Sequence, residues 1–181
     1  MTARAGEDFD AVRAVADVDA LLAGPVPEAG PTVAVGDPAT GEWTTTRGAG
    51  FRLVPLWEGE ALTGVYAPEW NQAVEAAEAH LATLVGELDG RWGAHRKVAM
   101  HVPLFRKQLG AALPPLFDAL LAEDCYGDLT VWGPVAVEGA GAVQRWVAVS
   151  AGHSEADAPV VMAAAVSDQP IVELPEKDGP E

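Results

Sequence analysis

The chain has 181 residues, 49% of them hydrophobic, with six Trp, one Cys and a formal net charge of -16. That length and apolar content support one domain with a self-sufficient core, and the lone Cys125 excludes an intramolecular disulfide. No apolar run approaches the roughly 20 residues that a membrane helix needs, and the net charge disfavours direct binding to a nucleic-acid backbone.

Glu7, Asp8 and Asp10 stand where a secretory leader needs an apolar run, so a soluble cytoplasmic protein is expected. Residues 8–23 form the first helix of this reading, with Asp8 as N-cap and Val12, Val15, Val18 and Leu22 on its apolar side. Gly24-Pro25 stops it. Residues 1–24 are thus expected to be a docked N-terminal appendage, and the prolines of 25–31 a linker to the main domain at 32–167.

Two hairpins are expected next. Thr32–Gly36 and Glu42–Thr46 flank a turn at 37–41, and Phe51–Trp57 and Ala61–Tyr66 flank Glu58-Gly59-Glu60. Pro55 requires its strand to be an edge or to be bulged. From Glu69 to Leu88 the residues Trp70, Val74, Ala77, Leu81, Leu84, Val85 and Leu88 fall on one helical stripe, with His80 at its margin and Gly90 as terminator.

Residues 95–102 alternate as a strand would, Val98, Met100 and Val102 on one side and His95, Lys97 and His101 on the other. Pro103 ends that strand, short helices follow at 104–112 and 116–123, and strands return at 129–137, 143–151 and 159–166. Residues 168–181 make an acidic, disordered tail in this reading. Strands in consecutive runs with helices between them give an α+β fold, with an antiparallel or mixed sheet of about 6–8 strands and helices on one face.

The most informative feature is a window without acids. Between Gly90 and Phe117 stand Arg91, Arg96, Lys97, Arg106, Lys107, His95 and His101, against 15 acids and 4 bases before it and 12 acids and 2 bases after it. Period-2 geometry puts His95, Lys97 and His101 on one face, and Arg106 and Lys107 follow in the next helical turn. Such a set suits a small anion or an acidic partner surface; internal charge balance is the competing explanation. The acidity itself has two explanations as well: a Lys-poor coding bias, suggested by 34 Ala against one Ile and one Asn, or selection for a basic partner.

A second candidate is a tryptophan pair. A turn centred on Gly139 sets Trp132 opposite Trp146 on the less apolar face of a hairpin, a floor for a ligand or an interface anchor if no second layer covers it. Chemistry is less well signalled. Gly152-His153-Ser154-Glu155 lacks the final glycine of a nucleophile elbow, Cys125 has no local partner and is expected to be inert, and no metal-ligand spacing or phosphate loop exists. No cofactor or metal is expected.

The functional expectation is a non-catalytic binding module, with Arg91, His95, Lys97, His101, Arg106, Lys107, Trp132 and Trp146 as candidate contact residues. A protein partner or a second copy of the chain is the expected occupant, with a small anionic ligand as the other. Two alternatives stand beside it: a small-molecule enzyme or binding protein with a pocket near His101, Trp132 and Trp146, and an acidic inhibitor of a basic partner.

Overall fold

Strand β7 (Val161–Ser167) has all seven residues buried, and the rest of the molecule is arranged around it. The computed structural model describes residues 1–62, 64 and 67–176. Helix α1 (Ala11–Ala23) precedes β1 (Val33–Gly36), β2 (Trp43–Gly48) and β3 (Phe51–Glu58). Helix α2 (Ala67–Trp92), β4 (Arg96–Val98), α3 (His101–Gln108), α4 (Pro115–Ala122), β5 (Leu129–Ala136) and β6 (Gln144–Gly152) lead to β7. The sheet is antiparallel at every pairing, in the order β1-β2-β3-β7-β6-β5-β4. The α+β class and the strand number are as expected, and among the described residues no helix is long and apolar enough to cross a membrane.

Where the helices sit differs from expectation: they cover both faces. Along β7 the side chains of Met162, Ala164 and Val166 join Leu84 and Leu88 of α2 and Val15 and Val18 of α1 in one core cluster. Val161, Ala163 and Ala165 join Phe117, Leu120 and Leu121 of α4 in another. A strand buried on both sides needs two apolar layers, so a one-sided arrangement was excluded by β7 itself.

The second hairpin did not form as expected. Residues 63, 65 and 66 lie outside the described residues, and Ala61 and Leu62 are not in a strand. β3 is paired instead with β2 on one side and β7 on the other, and the register shift between Pro55 and Trp57 gives Pro55 its bulge without an edge. The first hairpin forms as read. Asp37 Oδ1 accepts from the amides of Ala39 (2.7 Å) and Thr40 (3.0 Å), which closes its turn.

Helix α1 is capped by Asp10, not Asp8, through bonds to the amides of Val12 (2.9 Å) and Arg13 (3.1 Å). Ala14, Val15, Val18, Leu21 and Leu22 are its buried stripe, and Val12, expected inside, is 80% exposed. α2 runs through Gly90 to Trp92, because its packing outweighs two glycines; Gly93, at φ 86°, ends it. His80, at the margin of the stripe as read, is half-buried against Phe9, ring centroids 4.4 Å apart.

The tail also differs. Ile171 is buried in the α4-side core and Leu174 packs against it, so residues 168–176 are anchored to the body; residues beyond them lie outside the described ones. An isoleucine and a leucine suffice, since fully burying such a side chain stabilises by about 1.5–3 kcal/mol.

The tryptophan pair is separated by a bulge. Trp132 pairs with Val147 but Val135 pairs with Arg145, so β5 spends one more residue than β6 between these points. The register of the inner part is one residue from that expected, which turns Trp132 toward α2 and leaves Trp146 against the α4-side core. Gly133, at φ 149°, lies under the Trp146 ring; a Cβ there meets Cδ1 at 2.3 Å.

Two outcomes follow from this packing. Gly133→Ala should lower stability by about 1–3 kcal/mol in urea unfolding, because the Trp146 ring must shift. Leu21→Ala should cost about 2–5 kcal/mol, and deletion of residues 1–24 should abolish the cooperative thermal transition, since α1 covers Leu84 and Leu88. A truncated chain that still melts cooperatively would make α1 a dispensable appendage.

Candidate functional site

The acid-free window is divided by the sheet into two groups. The first lies where α2 hands the chain to β4. Gly93 donates its amide to the Asp89 carbonyl (2.9 Å), the chain reverses, and the His95 ring returns over the last turn of α2. There Nδ1 of His95 lies 3.0 and 3.1 Å from the two carboxylate oxygens of Asp89. The same carboxylate accepts from Nε1 of buried Trp132 at 2.9 Å, and Trp92 stands edge-on to that indole at 5.8 Å. The carboxylate accepts a hydrogen bond from Nδ1–H, which fixes the orientation of the ring and leaves Nε2 without a part in this contact.

Lys97 belongs to this group as well: its ammonium donates to the hydroxyl of buried Thr130 at 2.8 Å. His95 and Lys97 therefore share a side, as the alternation required. Arg91, one turn of α2 away, is forked onto Asp19 of α1 at 2.6 and 2.8 Å. Trp92 also walls a groove of about 780 Å³ between α1, α2 and β5, lined by Leu22, Val135, Val137 and the Arg91–Asp19 pair.

The second group is on the other side of the sheet. β4 has only three residues, and His101 begins α3 instead of continuing the strand. The expected common face of His95, Lys97 and His101 thus loses its last member. Pro103, expected to end a strand, sits instead in the first turn of a helix, where its missing N–H costs nothing. His101 Nε2 is 3.3 Å from Glu176, Arg106 Nη2 donates to the Pro175 carbonyl, and Lys107 meets Asp118 at 3.1 Å. Both acids come from the acidic block that follows the window, so charge balance accounts for part of it.

The pocket expected near His101, Trp132 and Trp146 is not assembled, because Trp132 faces one helical layer and Trp146 the other. Residues the sequence reading passed over are Asp89, Trp92, Phe105 and Leu109. Phe105 and Leu109 are 61% and 67% exposed. Their i,i+4 spacing signals adjacency; only tertiary structure shows that they stay exposed among the described residues.

Nucleophilic chemistry finds no support in the geometry. Burial, with Glu123 and Asp124 nearby, pushes the Cys125 thiol up in pKa, and its sulfur is fully buried in the α4-side core. His153 packs on Trp70 of α2 and bonds the Glu155 carbonyl at 2.6 Å. Among the described residues no three His, Cys, Asp or Glu side chains converge as metal ligands. Neither a protein-family model, nor a curated protein, nor a solved structure matches this chain.

The clasp has a pH signature. The hydrogen bond from His95, then that from Trp132, holds the Asp89 carboxyl below its ordinary value of 3.8 despite partial desolvation. A depressed folded pKa stabilises the fold above the unfolded value and loses that contribution as pH falls through the folded one. Asp89→Asn should therefore flatten the acid limb of the stability profile below about pH 4. Trp132→Phe should lower stability at neutral pH through the lost charge-assisted bond. An unchanged acid limb in Asp89→Asn would show that the clasp contributes nothing to acid sensitivity.

Proposed function

We propose that this protein is a non-catalytic interaction module of the cytoplasm that binds a protein partner through α3. One observation carries the reading: Phe105 on α3 and Leu109 at its C-cap, four residues apart, are both exposed, on a helix that has His101, Arg106 and Lys107 and no acid. Each of these side chains leaves apolar area in water that a partner surface would bury, at about 25 cal/mol per Å². An aromatic and a leucine with a cationic rim make the arrangement of an interface anchor facing an acidic surface. The Lys107–Asp118 and His101–Glu176 contacts are surface pairs worth about 0–1 kcal/mol each, so partner carboxylates replace them at little cost.

A second reading rests on the other group. Asp89, His95 and Trp92 beside the open groove favour a small-molecule site there, with Arg91 at its margin for an anionic ligand.

Capture of partners from the native cytoplasm separates the two. Phe105→Ala with Leu109→Ala should lose the partner while leaving thermal stability within about 0.5 kcal/mol, because both side chains are exposed. Lys107→Glu should weaken capture most at low salt, where the Debye length is longest. Equal capture by all variants, with ligand-induced shifts of the Trp92 indole instead, would favour the groove.

A further inference from the structure

The start of α3 already has an occupant. Ile171, 2% exposed, and Leu174 anchor the chain after β7, and residues 173–176 then run across the β4–α3 junction. Glu173 Oε1 accepts from the amide of Ala99 at 3.1 Å, the Pro175 carbonyl accepts from Arg106 Nη2, and Glu176 Oε1 lies 3.3 Å from His101 Nε2. A groove of about 350 Å³ lies between the two sides, lined by Ala99, His101, Val102 and residues 173–176. The segment is extended, acidic and broken by proline, and it meets one backbone amide, one imidazole and one guanidinium.

It is an incomplete occupant. Nε of Arg106 is buried with no hydrogen-bond partner among the described residues. A guanidinium offers Nε and Nη2 as a parallel pair that matches the two oxygens of a carboxylate, and here it receives a single neutral carbonyl. A ligand with a carboxylate at that point satisfies the donor that the chain's own segment leaves unpaired.

We propose that the β4–α3 junction is a binding site for an extended acidic segment of a partner protein, and that residues 173–176 hold it in cis until such a segment displaces them. The idea rests on the reading of α3 as the contact surface and names its regulation. Tethering through Ile171 keeps the internal segment at high effective concentration, so the intact chain binds an acidic peptide weakly and an opened chain binds it well. The partner then gains the Arg106 fork and, beside it, the apolar pair of α3.

The probe is a fluorescein-labelled peptide of residues 169–176 with Asp in place of Pro175, read by fluorescence anisotropy. The opened chain is the full chain carrying Glu173→Gln and Glu176→Gln, which keeps Ile171 and so its core. It should bind the peptide roughly tenfold more tightly than the intact chain, since the internal occupant reduces apparent affinity by the fraction of open sites. Arg106→Gln should remove most of that gain. Equal affinity in intact and opened chains, indifference to Arg106→Gln, or no saturation of the full-length opened chain by about 1 mM peptide overturns the proposal. Partner capture through Phe105 that persists in that event refutes the internal strap alone; loss of the Phe105 effect with peptide binding intact refutes the α3 reading alone.

Discussion

Everything in this fold depends on a strand that is apolar on both sides. β7 pairs with β3 along one edge and β6 along the other, and so joins the N-terminal β1–β3 unit to the C-terminal β4–β6 unit. Its alternating residues belong to two different cores, which forces one helical pair onto each face. Three consecutive alanines at its centre keep both layers close to the sheet, and close packing there leaves little room for change.

The same constraint dictates the fate of the cationic window. Chain connectivity carries residues 91–107 from α2 on one face, past the edge strand β4, to α3 on the other. A block of charge contiguous in sequence is therefore split by the sheet. Arg91, His95 and Lys97 are engaged by Asp19, Asp89 and Thr130, while His101, Arg106 and Lys107 are engaged by Glu176, Pro175 and Asp118. The two halves differ in kind. The first is tied to elements of the fold, through a buried indole and a buried hydroxyl; the second is tied mostly to the segment that follows β7, which has far less holding it.

Local patterning was readable wherever one physical rule dominated. The apolar stripe of α2, the Asp37 turn and the Pro55 bulge follow from helical period, side-chain capping of a turn and a missing N–H. The misreadings arose where two rules competed. Pro103 is compatible with a strand end and with a first helical turn, and the short β4 left too few alternating residues to decide. The β5–β6 register was inferred from a symmetric turn, and one bulged residue at Gly133-Pro134 put the two tryptophans on opposite faces of the sheet.

By itself the sequence determined most element types, the α+β class with an antiparallel or mixed sheet, and the segregation of charge, because these depend on period and composition along the chain. Tertiary structure decided what those elements mean: that helices cover both faces, that α1 and Ile171 belong to cores, and that Phe105 and Leu109 stay exposed among the described residues. The physical reason is common to all three. Burial is a property of pairs of surfaces, and Ile171 in an acidic tail or Phe105 in a short helix has the same local pattern whether or not a distant segment arrives to cover it.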